Sequence, residues 1–302
     1  MEDYKKYQKE LGEIPEFLNK YLNLDVMQRL KGVSLFCGMN YASPYMYDFS
    51  LNISRYDHSL NVALITWRLT HDKTQTLAAL FHDVSTPVFS HVIDFMNGDY
   101  IEQESTEDKI RDVLLSSRNL LTYLKEDNIS LEDVMDFKKH SIVDLPRPSL
   151  CADRIENTIG GGMGWANKVD YKHAKDILDN LYVDKNENGQ DEISLLSKDV
   201  GEYVLYINDC LNKLTHKDED SYMMDLLADL VRLTINEGII IYDDLYRLTE
   251  EEFFNIIEKY LYISDINDYY HLFKTVKDPL CMKHVIVKNR VVNPIVNGKR
   301  MI

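Results

Sequence analysis

Two short stretches carry three side chains able to bind a metal ion. Ser54-Arg55-Tyr56-Asp57-His58-Ser59 holds His58, and Phe81-His82-Asp83-Val84-Ser85-Thr86-Pro87-Val88-Phe89-Ser90-His91 holds the adjacent pair His82 and Asp83. Imidazole and carboxylate suit Mn, Fe, Co, Ni, Zn or Mg. Neighbouring residues of a helix point about 100° apart, so a His-Asp pair converges on one ion best where a helix ends. Val84-Ser85-Thr86-Pro87 supplies such an end. A buried histidine held by a hydrogen bond to its ring is the competing reading of the pair alone. The other histidines, His71, His140, His173, His216, His271 and His284, show no ligand spacing to one another and read as structural or exposed.

The elements that must position these residues are helical. Apolar residues recur at three and four positions in Phe17-Leu18, Tyr21-Leu22, Val26-Met27 and Leu30, as in an amphipathic helix or helix pair. Gly38 to Pro44 reads as a loop. A helix is expected from Tyr56 to about Leu69 with His58 in its first turn, another from Thr74 to Asp83, and a third near Glu104 to Leu115. Leu145-Pro146-Arg147-Pro148 stops the chain, and Ser149 is placed to cap a helix carrying Leu150, Ala152, Asp153 and Ile155. Gly160-Gly161-Gly162-Met163-Gly164 lacks the preceding strand and the Gly-Lys-Ser/Thr ending of a phosphate loop, and reads as a flexible connection. A hairpin is expected from Leu181-Tyr182-Val183, its turn in the polar run Asp184 to Asp191. Helices follow over 195–214, 222–236 and 250–260, with Thr249 and Glu252 spaced as a capping box. His284-Val285-Ile286-Val287, Arg290-Val291-Val292 and Ile295-Val296 are β-branched and predict a small sheet.

Composition bounds the function classes. The 302 residues make one large domain or two small ones, and 45% hydrophobic residues suffice for a sizeable core. A net charge of −16 disfavours nucleic acid as a partner, because such a surface repels a polyanion. A metal and a few local arginines reverse that field within one pocket, so a small anionic substrate stays open. No apolar run approaches the roughly 20 residues of a membrane span, and Met1-Glu2-Asp3-Tyr4-Lys5-Lys6 leads into no apolar core of a secretory signal. The four cysteines, Cys37, Cys151, Cys210 and Cys281, are far apart and read as reduced thiols of a cytoplasmic chain.

The order His58, His82-Asp83, then Asp153 in Cys151-Ala152-Asp153-Arg154 resembles the ligand set of the HD-domain metal-dependent phosphohydrolases. It is similar in particular to the branch holding dGTP triphosphohydrolases and the SAM-and-HD-domain dNTP triphosphohydrolases. Gln28-Arg29-Leu30-Lys31-Gly32-Val33, Ser54 to Leu60, Phe89-Ser90-His91, Asp244 to Glu250 and Arg290-Val291-Val292-Asn293-Pro294 each resemble an element of that branch. The resemblance spans roughly residues 15 to 296, loosely in the middle and in the later helices.

It implies a mainly α fold, an HD-domain helical bundle over 1–183 with a helical extension over 184–302 that ends in a small C-terminal β element and packs as one unit. It implies one divalent metal ion on His58, His82, Asp83 and Asp153, with two positions left for water and a phosphate oxygen. Asp83 would also accept a proton from the attacking water. Arg55, one turn before His58, and Arg154 would hold substrate, and His91 would face the phosphates. A surface ion pair of Arg55 with Asp57 or Asp48, a structural role for His91 and a solvated Arg154 are the alternatives. Two departures matter: Thr86 stands where the family has a histidine, and Ile101 stands where it has the candidate proton donor. The expectation is a cytoplasmic phosphohydrolase, metal-activated water attacking phosphorus of a nucleotide or other small phosphate compound, with a homo-oligomer implied by the family. A catalytically degenerate nucleotide-sensing or partner-binding protein is the alternative.

Overall fold

The structure, a computed structural model, describes residues 1–105, 107–278 and 285–302. Cys281 and His284, where one strand was expected to begin, lie outside the described residues. The chain is mainly helical with one small four-stranded sheet.

The Arg55–Thr70 helix starts where Ser54 accepts the Asp57 amide on its hydroxyl at 3.1 Å, which satisfies one of the free N–H groups of the first turn. His58, Ser59 and every residue from Asn61 to Thr66 are buried in it. Apolar burial on nearly all sides explains why its one-sided periodicity is weak. The Lys73–Phe81 helix begins likewise, with Asp72 accepting the Gln75 amide at 3.0 Å, and packs on the first. It ends at Phe81, and Val84 and Thr86 close tight turns onto the carbonyls of Phe81 and Asp83 at 3.0 and 2.9 Å. His82 and Asp83 therefore sit at a helix end, as their divergence on a helix requires.

Two apolar cores flank this segment. Phe81 and Val84 belong to one, which also gathers Tyr7, Leu18, Ile65, Ile155, Ile193 and Val296. Val88 and Phe89 belong to the other, with Val92, Leu227, Phe253 and Phe273. The His82-to-His91 stretch crosses from one core to the other. Arg29 fastens that crossing by donating to the carbonyls of Val84, Thr86 and Leu248.

The sheet has the order β1 (Leu181–Lys185), β2 (Asp191–Leu195), β3 (Ile295–Val296), β4 (Lys299–Arg300). β1 and β2 form the expected antiparallel hairpin, with Leu181 opposite Leu195. β3 runs parallel to β2, and β4 returns antiparallel. Residues 285–287 and 290–292, expected as strands, are not strands. The amides of Arg290 and Val292 go instead to the side chains of Asn212 and Asn208 at 2.8 and 3.2 Å, on the Lys198–Thr215 helix.

Two other expectations are corrected. Gly160 to Gly164 is no flexible connection but the end of the Ala152–Gly164 helix, and all five residues are buried. The glycines allow close approach: a Cβ on Gly162 would fall 2.4 Å from Val169 Cγ2, and one on Gly164 2.7 Å from Phe36 Cζ. Ser149 does not cap that helix, which has Cys151 at its N-cap and no side-chain cap. The Ser149 hydroxyl instead accepts a hydrogen bond from Arg300 at 3.2 Å. The Thr249–Glu252 capping box forms as expected.

Candidate metal centre

His58 enters the site from the first turn of the Arg55–Thr70 helix, His82 and Asp83 from the end of the Lys73–Phe81 helix, and Asp153 from the first turn of the Ala152–Gly164 helix. His58 Nε2 lies 3.1 Å from Asp153 Oδ1 and 3.7 Å from Asp83 Oδ2. His82 Nε2 lies 3.6 Å from Asp83 Oδ2 and 3.7 Å from Asp153 Oδ1. Atoms held about 2.0–2.2 Å from one ion at angles near 90–110° stand roughly 3.0–3.5 Å apart, so these separations suit a shared cation with little adjustment.

The protonation pattern agrees. His82 Nδ1 faces the Ala79 carbonyl at 2.7 Å and donates to it. That leaves Nε2 buried, without a hydrogen-bond partner, and directed at two carboxylates. His58 Nδ1 contacts Glu156, which is fully buried and also accepts from Asn61 at 2.9 Å. A carboxylate behind a histidine fixes the ring and raises the basicity of its far nitrogen, the usual support of a metal-binding imidazole. Burial alone favours neutral rings, but Glu156, Asp153 and Asp83 outweigh it and raise His58 to about 10. His82 is raised for the same reason by Asp83 and Asp153. Burial opposes charge on Asp83 and Asp153 too, yet Arg55 and the two imidazoles hold Asp83 below the usual carboxylate range, and the imidazoles do the same for Asp153. A donor set that draws protons this strongly is one that calls for positive charge at its centre, and its imidazole and carboxylate donors fit a divalent transition metal or Mg.

His82, Asp83 and Asp153 line a cavity of about 690 Å³, within the range of small-molecule sites, and His58, fully buried, reaches them through its contact with Asp153. Arg55 is nearly buried and donates from Nη1 to Asp83 Oδ2 at 2.7 Å, so neither Asp57 nor Asp48 is its partner in the observed hydrogen bond. His91 and Arg154 line the same cavity. His91 Nδ1 meets Asp94 at 3.0 Å, and burial, with the fields of Arg290 and Arg55, holds it below its ordinary value despite that carboxylate. Arg154 is neither solvated nor in contact with the four: it pairs with Asp144 at 3.0 Å and donates to the Ser149 carbonyl at 2.9 Å. Thr86 donates its hydroxyl to Asp83 Oδ1 at 3.2 Å. Ile101 is 59% exposed and outside the cavity wall, to which Glu102, Gln103 and Glu104 contribute.

Sequence reasoning missed several residues on and behind this wall. Glu156 lies one turn after Asp153, and Asp94 one turn after His91; a charged residue at i+3 on an apolar helix face was the available sign. Arg147 and Arg290 also reach the cavity. Burial, Arg154 and Arg290 together push Arg147 down to about 10. Four arginines thus gather in one cavity of a chain whose net charge is −16. Asp144, Cys151 and Asp153 form a second group with ligand-capable atoms, but Arg154 already neutralises Asp144 there. Burial pushes the Cys151 thiol up to about 12, which keeps it protonated.

No family model matches the chain. It is 26% identical over 233 residues to the uncharacterized protein YdhJ of Bacillus subtilis, covering 76% of this chain and 67% of that one. It is 25% identical over 134 residues to the metal-dependent phosphohydrolase cns2 of Cordyceps militaris, covering 43% of this chain and 36% of that one. The chain thus spans about two thirds of one curated relative and about a third of the other. Among the described residues, no helix is long and apolar enough to cross a membrane.

Proposed function

We propose that the chain is a metal-dependent phosphohydrolase of the HD type, acting on a nucleotide or another small phosphate compound. The observation that carries the reading is the convergence of His58, His82, Asp83 and Asp153, the last three of them on the wall of a cavity that four arginines also line. The relative from Cordyceps militaris, by its name, supports the general reaction. A divalent ion held by these four residues supplies Lewis acidity and an acidified water. The protein's own groups do the rest. Arg55 and Arg154 offset the charge of a phosphoryl group and orient it. Asp83 and His91 are the proton carriers, His91 through Nε2 because Asp94 engages Nδ1.

The test uses purified chain loaded with Mn²⁺ or Ni²⁺ and a panel of dNTPs, NTPs, nucleoside monophosphates and a chromogenic phosphodiester, with metal content measured. The expected result is hydrolysis of at least one class, abolished by a chelator and by Asp83→Ala. A chain that retains no metal and whose activity ignores Asp83→Ala overturns the reading.

One observation favours a second reading, a nucleotide-sensing or partner-binding module that keeps the metal and has lost turnover. Where the triphosphohydrolases that the chain resembles have histidines, Thr86 hydrogen-bonds to Asp83, and Ile101 is exposed and no part of the cavity wall. Loss of a general acid costs about 10²- to 10⁴-fold. Metal-dependent nucleotide binding without hydrolysis anywhere on the panel decides for this reading.

A further inference from the structure

Glu192 of β2 is fully buried, and its carboxylate is shared among three separated parts of the chain. Arg300 of β4 grips both oxygens, Nη1 to Oε1 at 2.5 Å and Nη2 to Oε2 at 2.9 Å. The Leu150 amide donates to Oε1 at 3.0 Å, and Asn186 donates to Oε2 at 3.3 Å. Arg300 also donates to the Ser149 hydroxyl at 3.2 Å and to the Asn293 carbonyl at 2.8 Å. The Asn293 amide donates to the Pro148 carbonyl at 2.7 Å. Pro148, Ser149 and Leu150 are therefore each tied to the sheet or to the segment that enters it.

The tied residues stand immediately ahead of the helix that presents Asp153. That helix has no side-chain cap of its own, so its first turn is oriented from outside. Ser149 works in both directions: its hydroxyl accepts from Arg300, and its carbonyl accepts Arg154 Nη1 at 2.9 Å. A bidentate guanidinium–carboxylate pair is strongly directional. Burying such a pair gains little over a well-packed apolar pair of similar volume, so stability alone is a weak reason for it. Fixing the geometry of a ligand-bearing turn is a better one, since a site is only as well ordered as the groups behind it.

We infer that Arg300 is a positioning residue for the metal centre: through Glu192 and Ser149 it sets the first turn of the Ala152–Gly164 helix, and with it Asp153 and Arg154. The inference rests on the proposed metal-binding function for one of its two readouts.

The first readout is Mn²⁺ binding to the full chain by titration calorimetry, well below the melting temperature of every variant. Arg300→Gln is expected to weaken binding about ten-fold or more, the usual scale for a group supporting a metal ligand. Methylguanidinium added to Arg300→Ala is expected to restore it. Val231→Ala, which loosens the other core, is expected to leave the affinity within about two-fold of wild type. The second readout is amide hydrogen exchange without metal, where Arg300→Gln is expected to lose protection over 150–156 and keep it over 61–66. Mn²⁺ affinity within two-fold of wild type in Arg300→Gln overturns the inference. So does an equal loss in Val231→Ala, or exchange that rises evenly through both segments. If Arg300→Gln does not fold, Arg300→Gln with Glu192→Gln, which leaves no buried charge stranded, is judged by the same criteria. A wild-type chain that takes up no Mn²⁺ overturns the metal reading, while the exchange pattern still decides the positioning role.

Discussion

Glu156 stands behind His58: one carboxylate oxygen contacts ring Nδ1, and the opposite nitrogen, Nε2, lies 3.1 Å from Asp153. Both carboxylates come from the first turns of one helix, with His58 between them. Glu156 is 0% exposed, and its second oxygen accepts from Asn61, which in turn donates to the Tyr4 hydroxyl at 3.0 Å. The histidine is therefore locked in ring orientation before any ligand arrives.

Glu156→Gln should accordingly weaken Mn²⁺ or Co²⁺ binding by about 10- to 100-fold. The amide keeps the shape, but its NH₂ only donates, so its one oxygen can face either His58 or Asn61 and not both, and that neutral oxygen supports the imidazole less. Calorimetric titration of the metal into wild type and variant, at equal folded fraction, checks it. An unchanged affinity would show that His58 is oriented by its helix alone.

The close helix packing gives a stability prediction. Alanine normally improves a helix interior over glycine by about 1 kcal/mol. At Gly162 the new methyl meets Val169 Cγ2 at 2.4 Å and Ile207 Cγ2 at 3.0 Å, within a turn pinned by the Lys168 and Val169 amides on its carbonyl. Overpacking a rigid contact costs about 1–3 kcal/mol, so the clash wins. Gly162→Ala should melt several degrees below wild type. Gly160→Ala, whose nearest neighbour is Ile53 Cδ1 at 3.3 Å, should lose less. Thermal denaturation of the pair orders them.

These glycines also mark where the sequence stopped being legible. Apolar spacing located the Arg55–Thr70 and Lys73–Phe81 helices to within two residues at each end, while their caps, Ser54 and Asp72, went unread although they are local signals. The residues His58, His82, Asp83 and Asp153 could be singled out because their types and order resemble a known ligand set. Gly160 to Gly164 reads as a break because glycine is a poor helix former, and only tertiary contacts to Phe36, Val169 and Leu211 reveal why small residues are needed there. The strand pairing was hidden for a similar reason. β-branched residues at Val285 to Val292 fit a strand locally, but the partners of that backbone, Asn208 and Asn212, lie far back in the chain. Glu156 and Glu192 look like ordinary charged residues until burial shows what each one holds.

Glu250 predicts how stability depends on pH. It is 2% exposed, accepts the Ser34 amide at 3.0 Å, and is pushed up by burial to about 8. The native chain then holds a proton on Glu250 that the unfolded chain releases near 4.5. Stability from this group is complete below that value and falls as pH rises towards 8, by an amount on the order of a few kcal/mol. Asp220, raised by burial to about 7, adds a loss of the same sign between its ordinary value and neutrality. Glu250→Gln keeps the acceptor and removes the titration. It should match wild type near pH 5 and exceed it near pH 8.5 in urea denaturation. Parallel pH curves for the two proteins would refute the assignment.

The proton-transfer role proposed for His91 has a separable outcome. Asp94, 1% exposed, accepts the Ser105 amide at 3.1 Å and its hydroxyl at 2.6 Å on one oxygen, and engages His91 Nδ1 with the other. The ring is thereby held with Nε2 as its open nitrogen, and its depressed basicity keeps that nitrogen unprotonated at neutral pH. Glutamine at this position fills similar space but cannot exchange a proton in the working range. His91→Gln should lower kcat on whichever panel substrate is hydrolysed by about 10²- to 10⁴-fold, with KM and metal content little changed. Asp94→Asn should lower kcat less, since it disturbs the tautomer and keeps the ring. A loss confined to KM would instead make His91 a phosphate-binding group, and proton transfer would then fall to Asp83 alone.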